Sequence, residues 1–255
     1  MVDIIPGPGG SGPNILETAL GSMPQASIEP FEGLPGVVSI RETSNGKMRF
    51  EDLERFAAAP RRTRQRVEME NVEGFVRYVT EFARPKRTRV FATNYRGGYY
   101  RIEALIDYHG PAENEASWVD HAAGYSPQFA PGFNEWHAKH GAAITQEQFA
   151  EFLEDRAADA VVPDPADLME VATNFSAVNG ECPKMILLRS PIFQGTPTID
   201  FSVRIAYTLD EGKLVFVLKI HRLVETIEAA FDALCDEIRD GLGDEIPLYR
   251  GKVLN

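Results

Sequence analysis

Between Ile199 and Ile220 apolar side chains take every second position, with one interruption. Ile199, Phe201, Val203, Ile205, Tyr207 and Leu209 alternate, Asp210-Glu211-Gly212 turns the chain, and Leu214, Phe216, Leu218 and Ile220 alternate back. A period of two puts each set on one face, so the stretch predicts a β-hairpin with one side to be covered. Next in the chain, Ile227, Ala230, Phe231, Leu234 and Ile238 recur at helical spacing up to Gly241, which predicts a helix that stops there. Hairpins rather than strand-helix-strand units predict an α+β chain: antiparallel β-hairpins with helices packed on the sheet.

The remaining segments fit that class. Val37 to Ile40 and Lys47 to Phe50 flank Asn45-Gly46, a hairpin turn. Gln65 to Met69 reads as a strand. Asn71 can cap a helix carrying Val72, Phe75, Val76, Val79 and Phe82 that ends before Pro85. Arg89 to Thr93 and Tyr99 to Tyr108 form a hairpin about Arg96-Gly97-Gly98, with a strand at Trp118 to Tyr125 pairing with it. Thr145 and Gln148 match a capping box ahead of Phe149, Phe152, Leu153 and Val161. Asp164-Pro165 restarts a helix with Leu168, Val171, Ala172 and Phe175, and Pro247 to Val253 reads as a tail strand. Residues 1–36 are rich in proline and glycine and cannot bury enough apolar surface alone. They read as an extended arm before a single α+β domain, 37–255. The arm's Ile4, Ile5, Ile15 and Leu16 suit docking, on its own domain or on a neighbouring subunit.

Charge is unevenly divided. Residues 61–101 hold 11 basic and 4 acidic residues, or +7, whereas residues 102–255 hold 11 and 26, or −15, in a chain of net charge −12. A basic block inside an acidic protein can serve a nucleotide or polynucleotide, an acidic protein, or the acidic surface of another copy. Its candidate contacts are Arg61, Arg62, Arg64 and Arg66, then Arg84, Lys86, Arg87 and Arg89, and the hairpin tip Tyr95, Arg96 and Tyr99. Arginines grip phosphates and aromatics stack on bases, the composition of a single-strand site. Phe75 and Phe91 in the same block belong to core faces.

Catalytic signatures are sparse. His137 and His140 lie three apart and would share a helical face, so with a carboxylate they could hold zinc or iron. The glutamate of a zincin motif is missing, because Ala138 and Lys139 fill the gap. His109 and His121 flank a strand connection. There is neither a G-x-S-x-G elbow nor a P-loop. Two cysteines, Cys182 and Cys235, make no disulfide framework, and Cys235 falls on the apolar side of the last helix. No cofactor is expected. No stretch approaches the roughly 18 apolar residues of a membrane span, and Met1 to Pro6 lack a secretory leader's basic and apolar regions. No membrane partner and a reduced, cytoplasmic setting are the expectation.

One run carries a resemblance: Trp118-Val119-Asp120-His121-Ala122-Ala123-Gly124-Tyr125, then Phe133-Asn134-Glu135-Trp136, then Gln146 to Asp155. Ala104 to His109, the hairpin from Arg204 to Leu223 and the ending Pro247 to Gly251 fit the same pattern. Over roughly residues 65–255 the chain resembles the phage and prophage family of unknown function that includes the prophage protein YfdQ. The resemblance implies an accessory role in the cytoplasm of an infected or lysogenic bacterial host, with no catalytic residues to carry over. It departs at 178–192, where Asn179-Gly180-Glu181-Cys182-Pro183 is too short for the additional hairpin of relatives. Binding and homo-oligomeric assembly are therefore expected. The alternatives are a DNA- or nucleotide-binding factor in phage recombination, replication or defence evasion, and a metal-dependent hydrolase.

Overall fold

The computed structural model describes residues 26–30, 37–42, 48–54, 59–60, 63–95, 99–112, 115–174, 184–211 and 213–252. It divides into two units, Met1–Thr63 and Arg64–Asn255. The division falls inside the stretch that the sequence assigns to one domain. In the first unit, β1 (Ala26–Pro30), β2 (Val37–Glu42) and β3 (Met48–Asp52) form a three-stranded antiparallel sheet. Part of the expected arm is thus a strand, Ala26–Pro30 pairing with β2. Ile4, Ile5, Ile15 and Leu16, and the Asn45-Gly46 turn, lie outside the described residues.

The second unit is α+β and holds two five-stranded sheets. The first is built from β4 (Gln65–Met69), β5 (Arg89–Tyr95), β6 (Tyr99–Leu105), β7 (His121–Tyr125) and the short C-terminal β13 (Leu248–Arg250), in the order β13-β5-β6-β7-β4. The β5–β6 hairpin and the β6–β7 pair are antiparallel, as hairpin spacing requires. Both edges differ from expectation: β4 runs parallel to β7 and β13 parallel to β5. Parallel neighbours need long connections, and local periodicity does not register them.

Helix α1 (Val72–Phe82) starts where Asn71 Oδ1 accepts Gly74 N–H at 2.7 Å, and Phe75 and Val79 are fully buried. The second sheet is wholly antiparallel, in the order β8-β12-β11-β10-β9, with the long hairpin β11 (Ile199–Asp210) and β12 (Lys213–Ile220) at its heart. Its flanking strands are β8 (Ala143–Thr145), β9 (Ala160–Val162) and β10 (Met185–Ser190). Between the sheets in the chain comes α2 (Pro131–Ala138). Helix α3 (Gln146–Arg156) carries both halves of the Thr145/Gln148 capping box, and α4 (Pro165–Asn174) buries Leu168 and Ala172. Phe149 of α3 stacks on Phe216 of β12 at 4.7 Å. Val161 belongs not to the α3 stripe but to β9, where it is exposed.

The last helix, α5 (Leu223–Leu242), runs through the expected stop at Gly241 and is capped two residues later at Gly243, whose φ of +73° suits glycine. Gly241 has another use: a Cβ there would sit 2.9 Å from Val76 Cγ1, so glycine lets α5 approach α1. Arg250 ties β13 to α5. Its guanidinium lies 4.6 Å over the Phe231 ring, 3.0 Å from Asp232, and donates to Cys235 Sγ at 3.3 Å. Tyr100 of the first sheet meets Phe193 and Phe231 at 5.4 and 4.9 Å, which joins the two sheets in one core.

Candidate functional site

Strand register gathers most of the described cations of the basic block at one end of the first sheet. Arg66, Ala122, Leu105 and Arg89 form one row across β4, β7, β6 and β5. Arg64 stands beside that row, and the turn that follows α1 adds Arg84, Lys86 and Arg87. Two main-chain bonds from Arg87 and Thr88 to the Arg84 carbonyl close this turn, and Thr88 Oγ1 accepts Arg84 N–H at 2.8 Å. Lys86 there has a φ of +64°. Among the described residues Arg84, Lys86 and Arg87 form no ion pair. Arg64 and Arg66 have loose ones, 3.8 Å from Asp120 and from Glu103.

Arg101, from the same block, is used differently. Its guanidinium grips both carboxylate oxygens of Glu68, at 2.6 and 3.1 Å, and is held further by Ser126. The pair lies across Gly124, where any Cβ would collide with it. This fully engaged arginine has little charge left for a ligand. Tyr99 is exposed and hydrogen-bonds Arg101. Tyr95 is the last residue of β5, while Arg61, Arg62 and Arg96 lie outside the described residues.

At the cationic end the loop from Ile106 to Asp120 is organised from below by a buried carboxylate. Asp107 Oδ1 accepts His121 N–H at 3.0 Å, and Oδ2 accepts Asp120 N–H at 3.2 Å and Ser117 Oγ–H at 3.4 Å. His109 Nδ1 accepts Ser117 N–H at 3.0 Å. Val119 is held at φ +53°, a rare conformation for a β-branched residue. Gln65 N–H donates to Asp120 O at 3.1 Å, and Arg66 Nη2 donates to Val119 O at 3.3 Å, so the loop is laced to the cationic strand. The product of this bracing is Trp118, 77% exposed. It was expected inside a strand, but β7 begins only at His121. Beneath, His121 is 2% exposed and shares a 2.8 Å hydrogen bond between Nε2 and the Tyr78 hydroxyl. Burial pushes its pKa down; Asp107 opposes and Arg84 reinforces that.

A groove of about 480 Å³ runs between α5 and the β10–β11 connection. Ile192, Ile199, Ala230 and Leu234 give it an apolar floor, and Asp236, Glu237 and Asp240 line one side from α5. Arg239 pairs with Asp236. Among the described residues Glu237 and Asp240 form no ion pair. The two surfaces are opposite in kind: cations about an exposed ring, and an apolar trough edged by acids.

A family model described as an uncharacterized conserved protein, DUF2303, matches residues 43–181 and 177–253. The chain belongs to the DUF2303 family. The two matched segments meet at 177–181, at the start of the 178–192 stretch. No curated protein and no solved structure matches the chain. Among the described residues of this DUF2303 protein, no helix is long and apolar enough to cross a membrane.

The histidine pair His137 and His140 does not share a helical face. Helix α2 ends at Ala138, and His140 lies beyond it with Nδ1 accepting Ile220 N–H at 3.0 Å. His137 stands at the helix end against the rings of Phe129 and Phe133, at 5.3 and 5.8 Å, and burial lowers its pKa. Among the described residues, no three His, Cys, Asp or Glu side chains converge as a metal site. Cys235 of this DUF2303 chain is buried on α5, and burial raises its thiol pKa. What residue reading missed is the pair of surfaces themselves. Trp118 gave a signal, as an exposed-type loop flanked by Ser117 and Asp120, whereas the groove joins segments some forty residues apart and left none.

Proposed function

We propose that this is a phage- or prophage-encoded accessory protein that acts by binding and by assembling with copies of itself in the bacterial cytoplasm. The observation that carries the reading is the apolar groove edged by Asp236, Glu237 and Asp240 on α5, set in a molecule where Arg66, Arg89 and other described cations of the basic block gather at one end of the first sheet. An apolar trough with acids on one side favours a partner that brings an apolar side chain and positive charge, and a second copy supplies both. Contacts of this kind are heterologous, so they close into rings or continue as filaments. The arm residues Ile4, Ile5, Ile15 and Leu16 are assigned to the same assembly, adding burial that salt does not screen.

A nucleic-acid or nucleotide role is the second reading, supported by the gathering of Arg64, Arg66, Arg84, Lys86, Arg87 and Arg89 at one sheet end. Size-exclusion chromatography with light scattering, at low and high salt and followed at 260 and 280 nm, separates the two. Assembly that weakens with salt, with protein-only absorbance, supports the first reading. A monomer at micromolar concentration and low salt would end it. Nucleic acid bound by a monomer, lost steeply as salt rises, would favour the second.

A further inference from the structure

We propose that Trp118 of one copy is the anchor that seats in the α5 groove of the next, with the cations around it meeting Glu237 and Asp240. The inference rests on the self-assembly reading and names its two contact surfaces. Three features of the loop point to a recognition element rather than a stray aromatic. Trp118 is the most exposed of the large apolar side chains among the described residues. Its loop spends a buried carboxylate, Asp107, on three hydrogen bonds and holds Val119 at positive φ. Backbone held in such a region persists only where the surroundings impose it, and it concentrates at binding sites. Cations also engage the residues that follow the ring: Arg66 is bonded to the Val119 carbonyl and Arg64 lies 3.8 Å from Asp120.

The groove presents the complement. Its floor of Ile192, Ile199, Ala230 and Leu234 suits one large ring, and a tryptophan can bury roughly 150–250 Å² of surface on entering such a trough. Asp236 already has Arg239, so Glu237 and Asp240 are the acids with charge to offer. Arg84, Lys86 and Arg87, unpaired among the described residues, bring the matching sign. Tryptophan and arginine are the residues that dominate protein interfaces when they fill a desolvated pocket. A nucleic-acid strand would also stack on Trp118, but Asp120 and Glu103 beside Arg64 and Arg66 repel phosphates, and nothing anionic would fill the groove.

The test uses two full-length variants, Trp118→Ala and the pair Glu237→Lys with Asp240→Lys, and Val224→Ala as a control for losing an exposed apolar side chain. All of these positions are exposed, so the folds stay intact by circular dichroism. Each anchor or groove variant is expected to weaken assembly on the order of thirty-fold, and Val224→Ala to leave it unchanged. Mixed together, the two defective proteins should form a one-to-one dimer, since the first keeps the groove and the second keeps the ring. Iodide quenching gives an independent readout. Trp136 is 1% exposed, so quenching reports Trp118, and it should fall as the wild type assembles. Wild-type assembly by Trp118→Ala, or wild-type quenching that does not change on assembly, would overturn the inference and leave self-assembly standing. A monomeric wild type would remove both. Bound nucleic acid that Trp118→Ala releases without a change in subunit number would reassign the ring and overturn it.

Discussion

The hydroxyl of Tyr78 and Nε2 of His121 lie 2.8 Å apart, and burial holds the histidine's pKa below its ordinary value. The neutral ring is therefore the form the fold accommodates, with Arg84 working against a second positive charge and Asp107 favouring it. His137, half-buried near His140, is shifted the same way by partial burial and by that neighbour. Below about pH 6.5 the unfolded chain takes up protons that these folded histidines resist. Stability should be flat just above that pH and fall below it, by at most about 1.4 kcal/mol per pH unit for each histidine. Urea midpoints between about pH 7.5 and 5.5 measure the slope, and His121→Gln should flatten it. A wild-type slope in both His121→Gln and His137→Gln would assign the effect elsewhere.

Gly241→Ala should destabilise the protein even though alanine is the better helix former by about 1 kcal/mol. Its Cβ would press on Val76, where α1 and α5 approach. Val76→Ala should relieve that pressure, so a double-mutant cycle is expected to show the two changes compensating. Additive losses would mean that the helices are not in contact here.

Asp107→Asn should cost about 1–3 kcal/mol, because three donors share that carboxylate and an amide supplies one acceptor atom in place of two. Hydrogen exchange should speed up at the main-chain amides of Ser117 to His121 and stay unchanged on α3. Uniform acceleration across the chain would indicate global destabilisation instead.

Cys235 should be inert to thiol reagents in the folded protein. It is buried on α5 with its thiol pKa raised by burial, and Arg250 covers the sulfur. In a Cys182→Ser background, labelling should track unfolding, and Arg250→Ala should speed it. Prompt labelling of the native protein would contradict the placement of β13.

Local chemistry made much of this fold legible before any coordinates. Asn71 and Pro85 bracket α1, the Thr145/Gln148 box opens α3, and alternation delivers the β11–β12 hairpin. These signals are short-range, set by side chains within a turn or two. Helix α2 escaped because it is two turns long and opens with Pro131-Gly132. Gly241 misled because a glycine near a helix end serves capping or close packing, and only the neighbour Val76 tells which. Of the candidate site, the cations were visible as a block, but their partners Glu68, Glu103 and Asp120 come from three separate segments. Trp118 stood in plain view, yet its exposure follows from where β7 begins.

The pairing of β13 with β5 has a consequence for synthesis. Thr93 hydrogen-bonds the carbonyl of Gly251, 158 positions later, so the edge of the first sheet stays open until Leu248 to Gly251 have been translated. Contacts of such separation are closed late and slowly. A nascent chain stalled before Leu248 would expose β5 as an unpaired edge beside its own growing copies on a polysome, the situation in which strands exchange between molecules. Each chain must then close that edge before its neighbours find it.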